Sequence, residues 1–382
     1  MTINQRVRCS ALLVFLLSLM RLHAQSSIEL PKPNTGALGI HLKLVQSIPF
    51  ENYANGGWGI RIGTDNTTIV VPVHSPYSER SSYLGCLMSE GGCGGDEQGM
   101  EFEIHNLISG NTIGSSGLVK GQYAIESPDL SAVATCLNSP HENTLEFYRL
   151  TESGSLQRIT SARLKNSCPV SFSYSSILSR DGLFLAAKEG DRNIQIWDPK
   201  IGKLLSTVVS SDRITHLALS ADGTMLLASA EDGSVRVWAV PSGGVVRTFQ
   251  AQEHVDWADF VPGRSAVAAV ASDHSAFVWD LKSGQRVGFF RLDPANTSAA
   301  ILSDWSGTGA VSRDGQLLIT EGAAYDLLSG ARVAAFDDNF DIRLTHKGVA
   351  EITVSPDGMM LALTSYESRG NCVVRVWRIE RE

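Results

Sequence analysis

The chain has 382 residues, of which 43% are hydrophobic and 19% charged, with 35 glycines and a net charge of −8. This composition supports a large folded core and excludes a disordered, fibrous or collagen-like chain. An acidic surface is a poor electrostatic match for nucleic acid or anionic lipid, so neither is expected as a partner.

In chain order, Arg6 and Arg8 precede an apolar run from Ala11 to Met20, followed by small residues near Ala24. That is the layout of a secretory signal peptide over residues 1–24, cleaved after Ala24. The run is about half the ~20 residues that a spanning helix needs, so no stable membrane insertion is expected after cleavage. Removal of three arginines and no acid leaves a mature charge of −11. The chain is therefore expected to be exported, to the periplasm, the cell envelope or the medium, with residues 25–38 as a short linker. Five cysteines remain, Cys86, Cys93, Cys136, Cys168 and Cys372, so one thiol is free or pairs between molecules. Cys86 and Cys93, close together in "GCLMSEGGC", form a possible disulfide worth ~2.5 kcal/mol by loop entropy.

From residue 39 onward two turn signatures alternate. One is an acidic or glycine turn between apolar runs, at Asp65, Asp129, Asp181, Asp222, Gly263, Asp314 and Asp357. Such turns join antiparallel strands, because Gly tolerates positive φ and Asp bonds its own backbone. The other follows a strand that often ends in Trp, with turn glycines Gly110, Gly154, Gly202, Gly243, Gly284 and Gly330. Between them, runs such as "SVRVWAV" and "SAFVWDL" alternate with the period of two of half-buried strands. Each unit predicts four antiparallel strands, a to d, at the ~40 to 45 residue repeat of a propeller blade.

Seven acidic turns against six glycine turns leave the last blade, whose strand c is "CVVRVWRI", without a strand d. "GALGIHLKLVQSIPF", near the start, has the alternation and length of a strand d but no blade of its own. Residues 40–48 are therefore assigned to the seventh blade, where they cover an edge that would otherwise stay open.

The stretch "ITHLALSADGTMLLASAEDGSVRVWAVPSGGVVRTF" resembles a blade of the WD-repeat (WD40-like) family, and the resemblance extends over residues 39–382. Trp197, Trp238, Trp279 and Trp377 stand where the family's strand-c Trp stands. The resemblance implies an all-β fold: a seven-bladed propeller of four-stranded antiparallel blades, closed by an N-terminal strand on the last blade. It also implies a role as a protein-binding scaffold, monomeric and without a cofactor. In that family a His, a hydroxyl, an Asp and a Trp tie each blade together. Here Asp232 and Trp238 fit, Ala230 replaces the hydroxyl, and His254 and His346 only stand near the His position, so packing is expected to carry more of the blade's cohesion.

No HExxH, GxSxG, phosphate loop or CxxC pair occurs. The main elaboration is an insertion at residues 74–100, between strands b and c of the first blade. Its Tyr77, Arg80 and Tyr83 are candidate partner contacts, while Glu90, Asp96 and Glu97 lack the spacing of a calcium loop. The plain alternative is an ordinary loop. Trp305 is a further candidate anchor, and Trp257 is expected in the core. Scattered His residues make a metal site unexpected. Sialidase-like and quinoprotein-like blades do not fit the turns. A lactonase-like hydrolase or lyase, with its site at the mouth of the central channel, remains the alternative to non-catalytic binding.

Overall fold

Twenty-nine strands in seven separate sheets, with no helix among the described residues, make up the computed structural model of the protein. The described residues are 40–50, 60–63, 65–74, 99–115, 119–120, 123–127, 131–138, 143–150, 156–164, 176–292, 309–320, 323–336, 349–368 and 371–381.

The first blade is β2 (Arg61–Ile62), β3 (Thr68–His74), β4 (Gly99–Asn106) and β5 (Thr112–Ser115), with β6 (Val119–Lys120) also pairing with β4. The second is β7 (Tyr123–Glu126), β8 (Ala132–Asn138), β9 (Asn143–Leu150) and β10 (Leu156–Leu164). The third is β11 (Ser176–Leu178), β12 (Leu185–Glu189), β13 (Asn193–Asp198) and β14 (Lys203–Val209). The fourth is β15 (Ile214–Leu219), β16 (Met225–Ala230), β17 (Ser234–Ala239) and β18 (Val245–Gln250). The fifth is β19 (Val255–Phe260), β20 (Ala266–Ala271), β21 (Ser275–Asp280) and β22 (Arg286–Arg291). The sixth is β23 (Ala310–Val311), β24 (Leu317–Ile319), β25 (Ala323–Asp326) and β26 (Arg332–Ala335). The seventh is β27 (Val349–Val354), β28 (Met360–Ser368) and β29 (Asn371–Arg381), completed by β1 (Ile40–Phe50). The seven-bladed architecture and its closure by an N-terminal strand therefore hold as expected, with β1 antiparallel to β29 from Ile40 opposite Arg381 to Phe50 opposite Cys372.

The first strands of successive blades are neighbours: β7, β11, β15, β19, β23 and β27 follow one another, and β27 touches β2. Arg61 on β2 lies 3.7 Å from Glu126 on β7, which joins the remaining pair of inner strands. In the fourth and fifth blades burial is greatest in the second strand and least in the outermost. β20, "AVAAVA", is buried at every position, whereas β18, "VVRTFQ", buries only Phe249. A strand covered on both faces must be apolar throughout, and an outermost one need not be.

The acidic turns have a sharper rule than their carboxylates alone suggested. Ser220 Oγ donates to Asp222 Oδ1 at 2.6 Å and accepts from the Met225 N–H at 2.9 Å, while Thr224 N–H donates to the same carboxylate. The same Ser-x-Asp pairing recurs at Ser179 and Asp181, Ser312 and Asp314, and Ser355 and Asp357. Two side chains thus satisfy the backbone that a tight turn exposes. The bonds from Ser220 and Thr224 hold the Asp222 carboxyl below its ordinary value.

Every outermost strand carries a β-bulge one residue past the partner of the strand-c aromatic or its equivalent. The bulged residues are Val45, Ile113, Ile159, Leu205, Val246, Val287 and Val333. All seven are aliphatic. A bulge adds twist and reverses which face the next side chains meet. In β18, Val246 stands between Val245, opposite Trp238, and Arg247, opposite Val237; Phe249 then returns to the core.

Candidate functional site

In an antiparallel blade ordered a to d, the turns from a to b and from c to d lie at one end. The b-to-c and d-to-a connections lie at the other. The long connections at 51–59, 75–98, 165–175, 293–308 and 337–348 all leave from that second end, so their anchor points share one face. Tyr77, Arg80, Tyr83, Cys86, Cys93 and Trp305, together with Glu90, Asp96, Glu97 and His346, lie outside the described residues. Trp197, Trp238, Trp279 and Trp377 sit on β13, β17, β21 and β29 and are buried. Trp257 is also buried, on β19, with its ring against the backbone of Gly309 in the next blade.

On this face the third, fourth and fifth blades are tied through side chains that donate to backbone carbonyls. Lys188 Nζ donates to Ile214 O at 3.1 Å, and Thr215 Oγ1 donates to Val255 O at 2.5 Å. His216 Nδ1 donates to Ala258 O at 2.9 Å, which leaves the Nε2 lone pair as the ring's acceptor. Burial pushes Lys188 below its ordinary value and His216 down to about 4, so this imidazole is neutral at physiological pH.

The polar tie of the fourth blade is present, but it is built from different residues than the family pattern implies. Asp232 Oδ1 accepts from Ser234 N–H at 3.0 Å, and Ser211 and Ser234 hydroxyls meet at 2.8 Å. Burial opposes ionisation of Asp232, yet the bonds from Ser211 and Ser234 prevail and hold it below its ordinary value. In the fifth blade Asp273 likewise accepts from the backbone and hydroxyl of Ser275. Around these turns runs a mixed-charge rim: Arg213 lies 3.1 Å from Glu231 and 3.9 Å from Asp191, and Arg192 lies 3.9 Å from Asp212.

The inner strand β19 departs most from its neighbours. A bulge between Val255 and Trp257 re-aims Asp256, which stands where Thr215 stands at the corresponding bulge of β15. Asp256 Oδ1 lies 3.2 Å from His254 Nε2, and its buried Oδ2 has no hydrogen-bond partner among the described residues. Burial raises this carboxyl to about 7. Asp259, three residues on, is also raised to about 7 by burial, although it accepts the Phe260 N–H at 2.6 Å. Part of its surface is open, but protein surrounds the carboxyl closely enough for desolvation to dominate. Among the described residues no group of three His, Cys, Asp or Glu is placed to hold a metal ion, and no helix is long and apolar enough to cross a membrane.

Asp256 and Asp259 were not singled out in the sequence, where "VDWADF" drew notice only for its Trp. Aligning the inner strands of the blades supplies the missing signal: the position of Asp259 holds Ala218 in β15 and Ile177 in β11.

Asp259 gives the fold a defined pH dependence. Its folded value, about 7, exceeds its ordinary 3.8, so between those values the folded state binds more protons than the unfolded chain. Stability conferred by the neutral form is complete below about 4 and is lost as pH rises through about 7. Three units correspond to a ceiling of ~4 kcal/mol, reduced to ~1–2 kcal/mol by the open part of the side chain. Asp259→Asn keeps the acceptor for Phe260 N–H and has no ionisation cost. Urea unfolding should find it ~1–2 kcal/mol more stable than the parent at pH 8 and level with it at pH 4. Parallel stability curves for the two proteins would show that this carboxyl is not desolvated.

The family model for the WD domain, G-beta repeat, matches residues 202–239, which run from the turn glycine after β13 through β17. No curated protein matches the chain. The chain is a seven-bladed β-propeller, and residues 202–239 of it match a WD repeat.

Proposed function

We propose that the protein is an exported, non-catalytic scaffold that binds another protein through the face where the b-to-c and d-to-a connections emerge. The observation that carries this reading is the asymmetry of the two faces. One is closed by short Ser-x-Asp-Gly and glycine turns, and the other anchors every long connection. Loops held on a rigid scaffold are the usual source of binding surface. WD40 propellers commonly act as protein-interaction scaffolds, in keeping with the repeat match at residues 202–239. Export is supported by the sequence layout of residues 1–24 and by the disulfide at Cys136, a bond that persists in oxidising compartments.

A photo-crosslinking amino acid placed at the exposed position 192 or the half-buried position 231 probes the proposed face, and one at the exposed positions 201 or 359 probes the opposite face. Cross-linking in the envelope or medium of the source organism should give a discrete protein adduct from the first pair only. Adducts from both pairs alike, or from neither, would overturn the reading. A second reading, a hydrolase or lyase with its site on the inner strands, is favoured by one observation: the His254 and Asp256 pair at the bulge of β19. The same experiment separates the two, since an enzyme for small substrates leaves no protein adduct.

A further inference from the structure

The seams on either side of the fourth blade are closed, near the proposed face, by side chains that donate to the inner strand of the next blade. Lys188 reaches Ile214 O, Thr215 reaches Val255 O and His216 reaches Ala258 O. β19 faces the sixth blade with a different set. Asp256 takes the place of Thr215 at the bulge, and Trp257 takes that of His216, with its ring against Gly309. An ionised carboxylate accepts hydrogen bonds and does not donate them, so the tie that Thr215 makes is not repeated by Asp256 in that form.

Asp256 is the second residue of β19, at the strand's end on the proposed face. Its side chain is 10% exposed, and Oδ2 is buried with no hydrogen-bond partner among the described residues. Oδ1 has one, His254 Nε2 at 3.2 Å. Asp259 lies on the same side of the strand as Trp257, three residues or ~10 Å deeper than Asp256, and is a second acid in this seam. The described elements packed on β19 bring no cation to either carboxyl. β16 is "MLLASA", β20 is "AVAAVA" and β23 is "AV". On β15, His216 gives its Nδ1–H to Ala258 O and is neutral at physiological pH. On β17 the charged residue is Arg236, which turns to Val209 O of the third blade. The connection into β19 adds the exposed Glu253 beside His254. The turn that meets His254 through Ser272 N–H carries His274 and Asp273, the latter 3.3 Å from Arg291. A buried carboxylate oxygen with no donor is costly, and its charged form needs a cation beside it.

We propose that this mouth is a receptor for a primary ammonium, the lysine side chain of a partner protein, which enters past His254 and is held by Asp256, with Asp259 adding negative charge below it. The proposal rests on reading the chain as a protein-binding scaffold. His254 occupies Oδ1, so Asp256 offers one oxygen, which suits the point charge of an ammonium better than the two-pronged guanidinium of arginine. The chain's net charge of −8 favours a cationic partner. Burial raises Asp256 to about 7, so below that value an incoming ammonium must displace a proton. Affinity at Asp256 therefore rises about tenfold per pH unit up to about 7 and is level above it, whereas binding to ordinary surface carboxylates is already level above about pH 5.

The probe is n-butylamine hydrochloride at constant ionic strength, titrated into folded full-length protein that carries carbon-13 at its aspartate carboxyl carbons and is followed by NMR. The expected result is a saturable shift of the Asp256 resonance, assigned by its loss in Asp256→Asn, with a dissociation constant that falls about tenfold per unit between pH 5 and pH 7. Asp256→Thr installs the residue that β15 carries at the same bulge, so it should stay folded and no longer bind the amine. Absence of a saturable shift, binding that is flat between pH 5 and pH 8, or binding retained by Asp256→Thr would overturn the site. Photo-crosslinking separates this proposal from the scaffold reading beneath it. An adduct from position 192 that drops about tenfold in Asp256→Thr supports the lysine contact, and an adduct that Asp256→Thr leaves unchanged overturns it. Amine binding at Asp256 with no protein adduct from either face would uphold the ammonium site and overturn the scaffold reading alone.

Discussion

Deleting residues 25–50, with residues 1–24 kept, is expected to leave a chain that does not fold as a stable monomer. Its melting transition should be lost or lowered by well over ten degrees on the scale of a few degrees per kcal/mol. The deletion removes β1, and β1 holds two seams at once. Before the bulge at Val45, Ile40 and Leu42 are buried with Leu317, Ile319 and Phe336 of the sixth blade and with Trp377. After it, Ile48 and Phe50 are buried with Ile60, Ile69 and Leu107 of the first blade. The one-residue shift turns the strand's buried side chains from one neighbour to the other. Four such side chains at ~1.5–3 kcal/mol each give ~6–12 kcal/mol, comparable with the whole ~5–15 kcal/mol stability of a domain. The deletion also exposes the full edge of β29, so the truncated chain should aggregate. A truncated protein with the parent's melting temperature and a monomeric elution profile would show that the ring closes without β1.

Most of this architecture was legible because repetition multiplies weak local signals. One acidic or glycine turn between apolar runs says little, but seven of them, interleaved with six glycine turns, set the blade count and show that one strand must come from elsewhere. The mismatch between turns led to residues 40–48, and the strand extends from Ile40 to Phe50. What distinguishes one blade from another was less legible. The serine two residues before Asp181, Asp222, Asp314 and Asp357, the aliphatic bulge in each outer strand and the serine-based tie at Asp232 depend on register, which periodicity alone does not set. Asp256 and Asp259 were missed because a charge inside a strand is conspicuous only once equivalent positions of neighbouring blades are superposed. Cys136, which is disulfide-bonded, was not singled out because no other cysteine stands near it in sequence, whereas Cys86 and Cys93 are close together.

Replacement of Gly233 by alanine tests whether the proposed face is braced from beneath. Gly233 lies in the turn between β16 and β17 at φ +78°, and an added Cβ would stand 2.7 Å from Glu253 O and 2.9 Å from Ala251 O. Both contacts are backbone atoms of the connection that leads into His254 and Asp256, and that connection is pinned to the turn. Ala251 N–H donates to Gly233 O at 2.9 Å, and Gln250 Nε2 donates to Asp232 O at 2.8 Å. The left-handed backbone costs an alanine ~1–2 kcal/mol, and displacement of the packed carbonyls adds ~1–3 kcal/mol. Gly190 provides the internal control. It occupies the corresponding turn of the third blade at φ +68°, with no atom within 4 Å of an added Cβ. Gly190→Ala should therefore lose only the backbone part, and Gly233→Ala should lose ~2–5 kcal/mol in urea unfolding. Because the displaced segment carries His254 and Asp256, Gly233→Ala should also weaken cross-linking from position 231, while Gly190→Ala leaves it intact. Equal losses of stability in the two variants would mean that the 251–253 connection does not rest on the turn.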